Sequence, residues 1–219
     1  MISRSSRDKR KRKMSTWGIL GCGTIANEMA ETFIKMGHEI YGVSNRTLKK
    51  AEKFAETYGV KHVFKTYEEM LADEKIDIIY IATPHSRHYE NMKQAVKAGK
   101  HVLCEKAITV NAAQLEEVLK LAEKKHVVVR EAMTISHMPL YKKLKERIKE
   151  GAIGKTKMVQ VNFGSNKGYD STNRFFALEA AGGALLDIGV YATSFARTFL
   201  SEIPNTILTT VEYLDLCAD

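Results

Sequence analysis

Three observations predict a doubly wound α/β fold. An apolar run ends in a Gly-x-Gly-x-x-Ala turn, a helix-period stretch follows it without a break, and short apolar runs alternate with amphipathic segments from residue 17 to residue 130. The turn is Gly21-Cys22-Gly23-Thr24-Ile25-Ala26. Gly21 permits the tight turn off the strand, Gly23 lets a pyrophosphate approach the backbone without meeting a Cβ, and Ala26 lets the helix pack close to the sheet. Thr24 and Ile25 lie where the free N–H groups and the helix dipole face phosphate. A purely structural turn is the competing reading of the same glycines.

The apolar runs predict strands at 17–20, 39–43, 62–64, 76–82, 101–104 and 127–130. Between them, helical periodicity predicts helices at 26–36, 48–58, 67–72, 88–98 and 112–125. Strict β-α alternation implies a mostly parallel sheet with right-handed crossovers, and ligand is expected at the carboxyl ends of its strands. Those ends are Gly21, Ser44, Thr83 and Glu105-Lys106. Beyond residue 134 the pattern changes. A helix is predicted at 137–150, a strand at 155–163, a polar loop at 164–173, a helix at 184–200 and a strand at 206–213.

With 219 residues, 44% of them hydrophobic, the chain can bury one large core or two small ones. No apolar run reaches the roughly 20 residues that span a bilayer, and no apolar segment follows the basic start, so a cytoplasmic protein without a membrane partner is expected. The three cysteines, Cys22, Cys104 and Cys217, are widely spaced and suggest neither a disulfide framework nor a metal site. The net charge of +8 is concentrated in residues 1–13, where seven Lys and Arg stand against Asp8. That segment reads as a basic disordered tail, and the nearly neutral body argues against a nucleic-acid partner.

The end of the second strand bears on which dinucleotide is bound. NAD sites place an acid about 20 residues past the glycines, to hold the ribose 2′-OH. Here the sequence is Gly42-Val43-Ser44-Asn45-Arg46-Thr47, with no acid between Tyr41 and Lys50. Ser44 and Asn45 can donate to a phosphate and the Arg46 guanidinium suits a 2′-phosphate, so NADP is expected ahead of NAD. An Asn-Arg turn that only caps the next helix would use the same residues.

Thr83-Pro84-His85-Ser86-Arg87-His88 follows the fourth strand, Glu105-Lys106-Ala107 the fifth, and Ala181-Gly182-Gly183-Ala184-Leu185-Leu186-Asp187-Ile188-Gly189-Val190-Tyr191 lies far downstream. With the glycine turn, these segments resemble the Gfo/Idh/MocA family, whose members carry Thr-Pro-x-x-x-His, Glu-Lys-Pro and Gly-Gly-Gly-Ala-Leu-x-Asp-x-Gly in that order. The resemblance implies a Rossmann domain over residues 14–134, followed by an α+β domain with a mainly antiparallel sheet that begins at residue 135 and forms the subunit interface of a homo-oligomer. Family members typically continue well past the length of this sequence, so residues 135–219 are expected to be the incomplete start of that domain.

The resemblance also implies site residues. Thr83, Pro84, His88 and Glu105 line the cofactor site, and Lys106 contacts both the cofactor ribose and the reacting oxygen of a small-molecule substrate. A lysine charge in a partly desolvated cleft also favours the ionised form of a neighbouring phenol. Asp187 and Tyr191 are four apart in a predicted helix, which puts them on one face a turn apart. Tyrosine at the second position is similar to the dihydrodiol dehydrogenase and glucose-fructose oxidoreductase branch, which makes Tyr191 the general acid/base and leaves Asp187 to orient the substrate or tune the tyrosine.

The activity implied is hydride transfer between a nicotinamide and the hydroxyl-bearing carbon of a sugar, polyol or trans-dihydrodiol. A nucleotide-binding sensor or truncated paralogue without turnover is the alternative. The sequence departs from the pattern at Ala107, where proline is usual, and at Ala181, where glycine is usual. A cis bond before alanine costs roughly 2.5 to 4 kcal/mol, which leads to the expectation of a trans Lys106–Ala107 bond.

Overall fold

The structure, a computed structural model, describes residues 14–170, 173–200 and 202–210. The tail at 1–13, Cys217 and the end of the expected strand at 206–213 lie outside the described residues. The chain divides into two compact units, the first from the described parts of 1–133 and 166–187, the second from those of 134–165 and 188–219.

The first unit is built on one sheet of six parallel strands: β1 (Trp17–Leu20), β2 (Ile40–Ser44), β3 (His62–Phe64), β4 (Ile78–Ile81), β5 (His101–Cys104) and β6 (Val129–Glu131). Their order is β3-β2-β1-β4-β5-β6, so the sheet grows outward in both directions from the β1/β4 pair. That pair is the topological switch point, where a doubly wound sheet opens a crevice for ligand. The crossovers contain α1 (Thr24–Lys35), α2 (Leu48–Tyr58), α3 (Tyr67–Ala72), α4 (His85–Lys97) and α5 (Ala112–Lys125).

The strand pleat sorts the core into two layers. Ile19 and Tyr80 pack with Ala26, Ala30 and Phe33 of α1 and Phe54 of α2, whereas their neighbours Leu20, Ile79 and Ile81 pack with Met70 of α3, Met92 and Val96 of α4 and Val118 of α5. Both faces are therefore covered, which explains why β1 and β4 read as unbroken apolar runs instead of alternating ones. Each buried Ile, Leu, Met, Phe or Val among them contributes about 1.5–3 kcal/mol.

α4 begins at His85, three residues before the sequence indicated, because Pro84 takes the N-cap with φ −59° and its carbonyl already accepts from the Arg87 N–H. The predicted helix at 137–150 resolves into a 3-10 turn (Thr134–His137) and α6 (Pro139–Lys149), with proline in its favoured first position. The helix predicted at 184–200 is a π-helical turn (Leu185–Gly189) followed by α7 (Val190–Phe199), so the Asp187 and Tyr191 spacing runs across a π-to-α junction rather than along an α-helix. The Lys106–Ala107 bond is cis, against the trans expectation.

In the second unit Tyr141 of α6 packs its ring on Phe195 and Phe199 of α7 at centroid distances of 5.8 and 5.5 Å, and its hydroxyl donates to Thr198 Oγ1 at 2.7 Å. The strands expected at 155–163 and 206–213 are not formed among the described residues. A strand needs a neighbour for its N–H and C=O groups, and no described segment pairs with either stretch.

Within the first unit, residues 174–183 form a compact turn around Gly182. A Cβ at Gly182 would stand 2.8 Å from the carbonyl oxygens of Arg174 and Phe175 and 2.9 Å from that of Ala177. Ala181, where the family pattern has glycine, holds φ +53°, a conformation that costs an L-residue about 1–2 kcal/mol. Urea unfolding should therefore show Gly182→Ala destabilising by about 1–3 kcal/mol through overpacking, and Ala181→Gly stabilising by up to roughly 1 kcal/mol. Equal midpoints for both variants and the parent chain would contradict this reading of the turn.

Candidate functional site

Gly21 leaves β1 with φ +99°, its N–H donates to Ser44 O at 2.9 Å, and a Cβ there would meet the Ala82 carbonyl oxygen at 2.8 Å. Only glycine fits between these two strand ends. Gly23 is the N-cap of α1 and provides no side-chain cap, and a Cβ added to it would find nothing within 4 Å. Thr24 and Ile25 are exposed in the first turn, while Ala26 is fully buried against the sheet. Uncapped first-turn amides opening onto clear space form the cradle that a pyrophosphate requires, so the residues fit a dinucleotide.

At the end of β2 the three residues read as phosphate ligands have different surroundings. Ser44 is fully buried and its hydroxyl donates to Phe64 O at 3.1 Å. Asn45 accepts from the Cys22 N–H at 3.1 Å and donates to Thr47 O at 3.0 Å, tying the glycine turn to the β2 end. Arg46 is exposed. Burial raises the Tyr67 hydroxyl above its ordinary value, against the pull of the Arg46 and Arg87 charges. Burial pushes the Cys22 thiol up to about 12, against the charge of Lys50, which leaves the thiol protonated.

Behind β4, Thr83 Oγ1 accepts from Asn91 Nδ2 at 3.0 Å and exposed Pro84 starts α4. His88 is fully buried, with Nδ1 2.8 Å from Ala107 O and Nε2 2.8 Å from Thr83 O. It thus ties the loop after β4 to the loop after β5. Glu105 is also buried and accepts from the Tyr80 hydroxyl at 2.6 Å. Burial raises its carboxyl above the usual range, although the Tyr80 hydroxyl, the Lys106 N–H and the Lys106 charge pull it down.

The charged centre of the first unit is Lys106 with Asp187. Lys106 Nζ lies 2.9 Å from Asp187 Oδ1 and also donates to the Asp187 backbone carbonyl, with the two side chains 15% and 16% exposed. One residue therefore holds the ammonium through two oxygens. In the second unit Tyr191 sits on α7, edge-on to Phe163 at 5.8 Å, in an apolar groove of about 510 Å³ that Ile135, Leu140, Tyr141 and Phe195 also line. Among the described residues no cluster of His, Cys, Asp or Glu could hold a metal, and no helix is long and apolar enough to cross a membrane.

The structure brings together residues that sequence spacing did not connect. Lys106 and Asp187 are 81 positions apart, and Tyr80 and Glu105 are 25 apart. Only the register of β4 against β5, which sets Tyr80 beside Leu103, would have suggested the second contact.

Burial lowers the His88 pKa, with the Arg174 charge adding to it, against the pull of its two carbonyl partners. The native chain then binds fewer protons than the unfolded one as the pH falls below the ordinary histidine value of about 6.5. The stability that this neutral histidine confers is complete above that pH and declines on acidification. Urea midpoints measured at pH 7.5 and pH 5.5 should differ less for His88→Gln than for the parent chain, and an unchanged difference would rule this contribution out.

Residues 15–133 match the GFO_IDH_MocA model, described as an oxidoreductase family with an NAD-binding Rossmann fold, and residues 141–214 match the GFO/IDH/MocA C-terminal domain. The chain is similar to trans-1,2-dihydrobenzene-1,2-diol dehydrogenase of Xenopus tropicalis, at 32% identity over 195 residues, which covers 87% of this chain and 58% of that protein. D-xylose 1-dehydrogenase (NADP(+)) of Hypocrea jecorina is 37% identical over 206 residues, with 80% of this chain and 50% of that one covered. The solved structure of KijD10, a 3-ketoreductase from Actinomadura kijaniata in complex with NADP and TDP-benzene, superposes with a TM-score of 0.73 at 26% identity, over 85% of this chain and 57% of that one. The chain thus spans about half to three-fifths of the length of these relatives. Glycine turn, switch point and both matched regions agree in one conclusion: the chain belongs to the Gfo/Idh/MocA family of oxidoreductases.

Proposed function

We propose that this chain carries the cofactor-binding unit and the reacting residues of an NADP-dependent oxidoreductase acting on the CH–OH group of a sugar, polyol or trans-dihydrodiol. The observation that carries the proposal is the largely buried Lys106–Asp187 pair at the carboxyl end of β5. The relatives named for dihydrodiol and xylose dehydrogenation support the substrate class.

Gly21, Gly23, Thr24, Ile25 and Ala26 would cradle the pyrophosphate, Arg46 and Arg87 the 2′-phosphate, and Thr83, Pro84, His88 and Glu105 would shape the nicotinamide side. Ser44 and Asn45 serve by holding the β2 end and the glycine turn in place rather than by direct contact. When bound, the nicotinamide supplies the hydride acceptor or donor. The Lys106 ammonium stabilises negative charge developing on the substrate oxygen, and Asp187 fixes where that ammonium stands. Tyr191 takes or returns the hydroxyl proton. A cytoplasmic location and self-association through the second unit belong to the same reading; exposed Phe163, Ile203, Ile207 and Leu208 support the association.

Two measurements test it. Fluorescence titration should show NADPH binding more tightly than NADH, and Arg46→Ala should weaken NADPH binding by roughly tenfold or more, as loss of a charge-assisted bond implies, while leaving NADH binding nearly unchanged. Tighter NADH binding by the parent chain would remove the NADP assignment. With a panel of aldoses, polyols and trans-dihydrodiols, followed by nicotinamide absorbance, Tyr191→Phe should lower kcat by about 10²- to 10⁴-fold. Full activity of that variant would overturn the role of Tyr191. NADPH binding without turnover on any of these substrates would instead identify a nucleotide-binding protein that does no chemistry.

A further inference from the structure

We propose that His85 is a positioning residue for Lys106, holding the lysine's backbone while Asp187 holds its ammonium. His85 is the first residue of α4 and only 6% exposed. Its Nε2 lies 3.0 Å from the Lys106 carbonyl oxygen and its Nδ1 3.4 Å from that of Ala181. A neutral imidazole donates from one nitrogen only, and the shorter contact assigns that proton to Nε2, pointing at Lys106 O. Burial, together with the nearby charges of Lys106 and Arg174, disfavours the imidazolium, in keeping with a single donor.

The position of this ring gives it its role. Lys106 follows β5, whereas Ala181 belongs to the turn that leads six residues later to Asp187. His85 therefore lies against both the backbone of the lysine and the turn that delivers its carboxylate partner. A long flexible side chain fixed only at its tip can swing about its own backbone. Fixing the carbonyl as well removes that freedom and sets the direction of Nζ, the kind of placement whose loss by about 1 Å can cost a hundredfold in rate.

The inference rests on the reading of Lys106 as the reacting lysine, so Lys106→Ala is measured beside His85→Ala and His85→Gln in the full chain. The first readout is the rate at which acetic anhydride labels Lys106 relative to exposed Lys142, followed by mass spectrometry, which needs no turnover. The second is kcat and the KM for NADPH. His85→Ala is expected to raise the labelling ratio several-fold and to lower kcat about 10- to 100-fold with KM within roughly twofold. His85→Gln, whose amide N–H can replace the Nε2 donor, should return both values toward those of the parent chain.

Parent-like labelling and kcat in His85→Ala would overturn the proposal. So would a glutamine variant no better than the alanine variant, since that pattern marks a residue that merely fills space. Should Lys106→Ala keep full kcat, the catalytic reading fails while the labelling ratio still decides whether His85 braces the lysine.

Discussion

A sheet whose strands all run in one direction has no face to spare for water. Parallel strands are joined by crossovers, and each crossover helix must bury its apolar stripe on one side of the sheet or the other. In this chain that requirement sends α1 and α2 to one face and α3, α4 and α5 to the other, because the order β3-β2-β1-β4-β5-β6 reverses its direction of growth between β1 and β4. Where the windings part, the loops after β1 and β4 diverge. Gly21 can lie against the Ala82 carbonyl, and the N-terminus of α1 opens onto clear space. The binding crevice is thus a by-product of covering the core.

The loops around that crevice are joined by residues that reach across them. Tyr80 rises from β4 to hold Glu105, His88 ties the β4 loop to the β5 loop, and Asn45 ties the glycine turn to the end of β2. Each of these contacts is buried or half-buried, and each gives a polar group in the loops a hydrogen-bonding neighbour inside the protein. The ion pair of Lys106 with Asp187 follows the same logic at higher stakes, since leaving either charge alone in so enclosed a place would be costly.

Much of this fold could be read from the residues, for a reason that also marks where reading stops. Helices α2, α3 and α5 and strands β1, β3 and β5 fall where periodicity and turn residues put them, because the period and its ends are written locally. The stretches at 155–163 and 206–210 carry apolar residues of strand character, but a strand is a relation between two segments and no described segment pairs with either. The proposed site residues divide in the same way. Gly21, Gly23, Lys106 and Asp187 announce themselves by motif, whereas the pairing of Lys106 with Asp187 spans 81 positions and depends on how residues 166–187 fold back onto the first unit. Ser44 illustrates a third case. It stands at the expected strand end, but the pleat turns its hydroxyl toward Phe64 O, and that sense is set by the neighbouring strand rather than by the residue itself.

The return of residues 166–187 to the first unit has a bearing on modularity. The cofactor-binding matched region ends at residue 133, yet the carboxylate that neutralises Lys106 arrives from beyond the 134–165 excursion. A Rossmann half severed at that boundary and joined to a foreign partner would keep its dinucleotide cradle but lose the two Asp187 oxygens that hold the Lys106 ammonium. Exchange of second domains within such a lineage is therefore constrained at the level of electrostatics. An incoming domain would have to replace the contacts that Asp187 makes with Lys106.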